Sequence, residues 1–161
     1  MHYVESRSIF SIMTMNLAHI IDRIEIEELL VRYARAIDSK DFDTLEALFT
    51  PDATFDGGSL GCPTGAPQIR AMIEGTLTGL DSTQHLIGKS LIELDGEQAE
   101  VKTYLISQHI RESTPGDVKH YALGGEYADR VVRTPEGWRI DYRRLDRMWK
   151  EGNREVISGA S

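Results

Sequence analysis

Near neutral pH a histidine is the natural proton carrier, and a carboxylate beside it can orient the ring and stabilise its charged form. The chain has five histidines. His2 and His19 fall at the N-terminal end, and His120 stands next to a turn, so these three read as solvated. His85 and His109 differ, because each is embedded in a β-like run, TQHLIGKSLIEL and QAEVKTYLISQHI. A single histidine on a strand is more often a satisfied structural residue than a catalyst. Two on neighbouring strands gain weight when an acid can reach them, and Asp38 is such an acid. It closes the helical stretch IEIEELLVRYARAID, where the helix dipole disfavours a carboxylate. Such a set can carry protons, a carboxylate orienting an imidazole and stabilising its charged form, or it can be structural.

The same residue types have other uses. Two histidines and one aspartate can ligate a metal, but no H-x-H or H-E-x-x-H spacing is present. No serine lies in a G-x-S-x-G elbow, and Ser107 lacks a recognisable oxyanion-hole loop. The single cysteine, Cys62, sits in a Gly/Pro-rich loop and reads as an incidental thiol. Three arginines crowd YRRLDRMWK. Alternation places Arg143 and Arg147 on one face and Arg144 on the other, an assignment that a bulge would swap. One of them can reach a pocket to hold an oxyanion, while Arg144 pairs with Asp141 or Asp146.

These residues need elements to position them. In Ile24–Asp38, Ile26, Leu30, Tyr33 and Ile37 recur at helical steps and form one apolar stripe. Asp41 caps a short second helix, FDTLEALF, which Thr50-Pro51-Asp52 ends. Ala53–Asp56 reads as a short strand, then a glycine-rich loop without phosphate-loop spacing, then a third helix from Pro67. From Gln84 onward four long strands are expected, over 84–94, 98–112, 118–133 and 138–150. Asp95-Gly96 and Thr134-Pro135-Glu136-Gly137 turn two of the connections. Helices first and an antiparallel meander after predict an α+β fold, with the helices on one sheet face and a pocket between the layers. Residues 1–17 read as a flexible arm, 18–151 as the domain and 152–161 as a loose tail.

At 161 residues and 40% hydrophobic content, the chain reads as one domain with a substantial core. A net charge of −8 argues against nucleic acid or an anionic membrane surface as partner. No apolar run reaches membrane-spanning length and no signal peptide is recognised, so the cytoplasm is the expected location. A small open sheet leaves one face uncovered, which predicts a homodimer or homotrimer.

The stretches IEELLVRYARAIDSKDFDTLEALFTPDATF, TQHLIGKSLIEL and GGEYADRVVRTPEGWRIDYRRLDRMWKEGN lie between Ile24 and Asn153. Together they resemble SnoaL-like members of the NTF2-like superfamily. The resemblance implies a cone of curved sheet and capping helices around a deep apolar pocket. Several enzymes of that group work without a cofactor: scytalone dehydratase, hexachlorocyclohexane dehydrochlorinase and bile acid 7α-dehydratase. On that likeness Asp38 and His85 fall on the acid/base pair and His109 on a second histidine one strand later. Tyr33 and Arg147 match an assisting tyrosine and arginine, with Arg143 the other arginine position. The implied activity is a cofactor-independent lyase or isomerase acting on a hydrophobic cyclic small molecule. A noncatalytic binding protein and an accessory subunit of a ring-hydroxylating dioxygenase are the other readings.

Overall fold

The structure is a computed structural model and describes residues 17–158. The expected arm therefore lies outside the described residues except for Leu17, which opens α1, Leu17–Ser39. This helix begins earlier than the apolar stripe because LAHIIDR contains no breaker. Ile26, Leu30, Tyr33 and Ile37 are all buried along it. It ends where Lys40 takes a left-handed conformation, with φ 58°. Asp41 N–H then bonds to Ala36 O at 2.9 Å and Lys40 N–H to Ile37 O at 3.3 Å. That paired closure is the Schellman arrangement, here without its usual glycine. The Lys40 ammonium reaches Leu80 O at 2.5 Å.

Asp41 caps α2, Phe42–Ala47, its carboxylate accepting from Thr44 N–H at 3.0 Å. The next strand, β1, runs Phe49–Asp56, longer than the expected Ala53–Asp56. Pro51 is tolerated because β1 lies at the sheet edge, pairing in parallel with β6 on one side and bridged on the other at Thr54–Thr64. A 3-10 turn, Gly58–Leu60, leads toward α3, Ala66–Leu77.

The expected 84–94 strand is two strands, β2 (Ser82–Ile87) and β3 (Leu91–Asp95), both antiparallel to β4 (Gln98–Ile110). Gly88 N–H still bonds Tyr104 O at 2.8 Å, and the hydroxyls of Ser90 and Thr103 meet at 2.7 Å beyond the break. β5 (His120–Thr134) and β6 (Gly137–Gly152) complete a six-stranded sheet of order β1-β6-β5-β4-β2, with β3 also on β4. Register shifts at Gly124/Gly125 and Arg130/Val131 mark bulges, which bend and twist a strand. A Cβ on Gly125 would stand 2.5 Å from Asp146 O, so only glycine fits that bulge.

The helices pack on the inner face of this sheet, and the core between the layers includes Ile26, Leu45, Ile69, Val101, Val131 and Ile140. The result is the α+β cone of NTF2-like proteins. At the C-terminus the structure differs from the expected loose tail. Glu155–Ser158 is a helical turn, α4, with Val156 fully buried, and Asn153 N–H ties its start to His120 O at 2.9 Å. Among the described residues no helix is long and apolar enough to cross a membrane.

Candidate active site

Asp38 lies in the last turn of α1 and turns toward β2. Its Oδ2 accepts from the His85 backbone N–H at 2.8 Å and its Oδ1 from His85 Nδ1 at 2.7 Å. The two side chains are 8% (His85) and 20% (Asp38) exposed, so the pair is mostly withdrawn from water. Two donors converge on one carboxylate, which fixes both groups although they come from different elements. With Nδ1–H committed to Asp38, the neutral ring carries its lone pair on Nε2. His85 lines a cavity bounded by α1, α3 and the sheet, and Asp38 does not itself line it. The wall is mainly apolar, with Ile37, Phe55, Leu60, Leu105, Leu123 and Leu145.

His109 faces the same cavity from β4, its ring centre 5.4 Å from that of His85. Its Nδ1 lies 2.7 Å from Thr83 Oγ1 and its Nε2 3.4 Å from Ser107 Oγ, while the ring stacks on Tyr121 at 6.4 Å. Burial, and secondarily the neighbouring His85, push its pKa down to about 4 against the opposing pull of Asp38. His109 is therefore a neutral hydrogen-bonding group at neutral pH. Its folded pKa is below its unfolded value, so the unfolded chain binds more protons in between. The stability it contributes is complete above about pH 6.5 and is lost as pH falls toward about 4. Urea unfolding followed over that interval should show a loss of about 3 kcal/mol from this residue. His109→Gln should flatten that slope; an unchanged slope would count against a buried neutral imidazole.

At the opposite side of the cavity lies an arrangement that sequence reasoning only partly reached. Tyr33 lines the wall, and so does Tyr127 of β5, which was not singled out. Between them, and fully buried, is Arg143, with its guanidinium carbon 4.0 Å from each ring centre. Arg143 does not itself line the cavity. Its Nε and Nη2 donate to Asp129 at 2.7 and 2.6 Å in a two-pronged ion pair. Burial opposes the charge, but the Asp129 carboxylate outweighs it and raises the Arg143 pKa. Burial likewise raises the phenol of Tyr33 against the lowering effect of Arg143, and holds that of Tyr127 well above its ordinary value.

Arg147 does not enter the cavity. A bulge after it leaves Met148 unpaired, with Gly125 opposite Arg147 and Gly124 opposite Trp149. Its Nη2 donates to Gly57 O at 2.7 Å and its Nη1 to Ser59 Oγ at 3.2 Å. It thereby anchors the glycine-rich loop that presents Leu60 to the cavity, and the assisting role expected of it gives way to a positioning one. Arg144 pairs with Asp146 at 2.8 Å on the surface. Hydrogen bonds to a charged group are worth about 1.5–3 kcal/mol, so Arg147→Met should speed amide exchange of Gly58–Gly61 at least about tenfold. Hydrogen exchange read by mass spectrometry checks this; unchanged protection would mean the loop stands without the tether. Among the described residues no three His, Cys, Asp or Glu side chains gather as a metal site would require.

Fold and site together define a known class of chain. The family profile described as the SnoaL-like domain matches residues 18–144, and the protein belongs to that family. An uncharacterized protein of Mycobacterium tuberculosis is 35% identical over 127 residues, covering 78% of this chain and 85% of the relative. Among solved structures, a protein of Kribbella flavida is 25% identical with TM-score 0.79, covering 87% of this chain and 99% of its own. A candidate aromatic ring hydroxylase of Novosphingobium aromaticivorans is 26% identical with TM-score 0.75, covering 86% and 97%. A hexachlorocyclohexane dehydrochlorinase shares the fold, with TM-score 0.76 at 13% identity, covering 87% and 94%.

Proposed function

We propose that this protein is a cofactor-independent acid/base enzyme, a lyase or isomerase, acting on a hydrophobic cyclic small molecule held in the cavity. The observation that carries this reading is the double engagement of the Asp38 carboxylate by His85. It leaves His85 Nε2 as a base at the wall of an apolar pocket. In the proposed step Nε2 takes a proton from carbon next to an activating group, and the resulting imidazolium is stabilised by Asp38. The proton then returns to another carbon in an isomerisation, or leaves with a β-hydroxyl as water in a dehydration. Tyr33 faces the developing negative charge, and neutral His109 hydrogen-bonds the departing or arriving oxygen. A thermal-shift screen of steroids, terpenoids and aromatic polyketides identifies binders. Proton NMR in deuterium oxide then reads exchange at carbon. A tight binder whose carbon-bound protons never exchange and which yields no product would remove the enzyme reading.

The likeness to a candidate ring hydroxylase favours a second reading, an accessory subunit whose sheet face holds a larger partner. Co-purification with an iron–sulfur protein distinguishes it. Under the leading reading the outer sheet face, with Leu86, Tyr104, Ile106 and Met148 exposed, is covered by a second or third copy of the chain. Light scattering that shows a monomer at micromolar concentration would exclude that assembly. An exposed unpaired thiol at Cys62 accords with a reducing, cytoplasmic setting.

A further inference from the structure

Each of the two cavity histidines is hydrogen-bonded through Nδ1 to a residue that does not line the cavity. For His85 that residue is Asp38, and for His109 it is Thr83, whose Oγ1 lies 2.7 Å away. Thr83 and His109 are direct cross-strand partners on β2 and β4. Asp38 and Thr83 both line a second cleft, where the end of α1 meets β2. Arg35, Ser82, Gln84 and Gln108 form most of its remaining wall. All four are exposed, so the cleft opens to solvent. No residue lines both the cavity and this cleft. Two hydrogen bonds, Asp38–His85 and Thr83–His109, cross the partition between them.

The chemistry of the second bond is specific. Burial and the neighbouring His85 disfavour a charged His109 ring. A ring kept neutral still moves a proton if it gives one at one nitrogen while accepting one at the other. It ends neutral, with its tautomer reversed. The partner at Nδ1 must then be able both to donate and to accept. A hydroxyl does both, whereas a carboxylate only accepts and an amide N–H only donates. Among the described residues Thr83 Oγ1 has no other partner, so its remaining capacity is left for water in the cleft.

We infer that the outer cleft is a proton port for the cavity, in which Thr83 relays protons between water and His109 as Asp38 does for His85. The Thr83 hydroxyl gives its proton to His109 Nδ1 and takes one from water in the cleft, while His109 Nε2 gives its proton inward. In the opposite direction every transfer is reversed. At His85, a ring that has gained a proton at Nε2 releases its Nδ1 proton to Asp38, which passes it to the cleft. Because Asp38 and Thr83 border one cleft, a proton released at the first offsets a proton drawn in at the second. Only protons move: no bond between heavy atoms changes, and nothing is oxidised or reduced. Thr83 is a relay residue, touching His109 and not substrate. The port goes beyond the proposed reaction, since it concerns how the two rings exchange with water whether or not turnover follows.

The test uses the ligand-free protein, labelled with ¹⁵N in its histidines, and nitrogen spectra of the rings at neutral pH. In the parent, both ring nitrogens of His109 should be protonated part of the time and show intermediate shifts. His85 should keep its proton on Nδ1. Thr83→Val is similar in shape but lacks the hydroxyl, and should leave His109 in one tautomer. It should also slow exchange of the His109 ring proton with water at least about tenfold, since exchange then waits on local opening. Thr83→Ser should restore both properties, and neither variant should alter His85. A His109 ring held in one tautomer in the parent overturns the inference, and that readout needs no variant. So does an exchange rate that Thr83→Val leaves unchanged in a protein melting like its parent, or one that Thr83→Ser fails to restore. If the port behaves as expected in a protein that exchanges no carbon-bound proton of any ligand, the enzyme reading fails and the port stands.

Discussion

Replacing Asp38 by asparagine should lower turnover by about 10²–10⁴-fold while leaving the fold intact. Two donors face the carboxylate, the His85 backbone N–H at 2.8 Å and His85 Nδ1 at 2.7 Å. A carboxylate accepts both, whereas an amide has a single oxygen and presents N–H groups with its other end. When the oxygen stays with the backbone N–H, Nδ1 meets a donor and must itself become the acceptor. The imidazole proton then moves to Nε2, and the lone pair that faced the cavity is gone. Thermal stability should change little, because the substitution also removes a negative charge from a helix C-terminus, where the dipole opposes it. The measurement is carbon–hydrogen exchange of a bound ligand in deuterium oxide beside the melting temperature. Exchange within twofold of the parent would show that Asp38 is only a structural cap on β2.

The second large effect concerns stability. Asp129→Asn should destabilise the protein by about 3–5 kcal/mol, because it leaves the Arg143 guanidinium charged and fully buried without a counter-ion. Apart from Asp129, the guanidinium is packed between the Tyr33 and Tyr127 rings, neither of which carries a countercharge. The double replacement Asp129→Leu/Arg143→Met should recover most of the loss, since a buried pair exchanged for apolar groups of similar volume is often neutral. Urea unfolding of the two singles and the double gives the coupling directly. A single substitution costing under about 1 kcal/mol would mean that water reaches the pair.

What could be read from the sequence was whatever local periodicity controls. The stripe Ile26, Leu30, Tyr33, Ile37 requires only helical spacing, and all four are buried. Alternation along β4 puts His109 on one face with Val101, Thr103, Leu105 and Ser107, and those residues are buried together. The arginines were not decidable in the same way. Arg143 and Arg147 share a face on an ideal strand, and only cross-strand neighbours separate them. Asp129 stands opposite Arg143 and draws it inward, while Gly57 O and Ser59 Oγ take up the guanidinium of Arg147. A signal for Tyr127 and Asp129 existed in Tyr121, Leu123, Tyr127, Asp129 and Val131, which fall on one alternating face of β5 with an acid among apolar residues. The division of the 84–94 strand and the length of β1 depend on sheet curvature and edge position, which no short window encodes.

Lys40 is where durability and alignment part company. A side chain in the left-handed region is strained, and glycine would sit there more comfortably. A stabilisation campaign would therefore choose Lys40→Gly as an inexpensive improvement. Yet the ammonium of Lys40 fastens the end of α1 to Leu80, just ahead of the strand that carries His85. Two residues upstream sits Asp38. Glycine would relax the turn while cutting that strut, so a hardier variant would hold Asp38 and His85 to a looser tolerance.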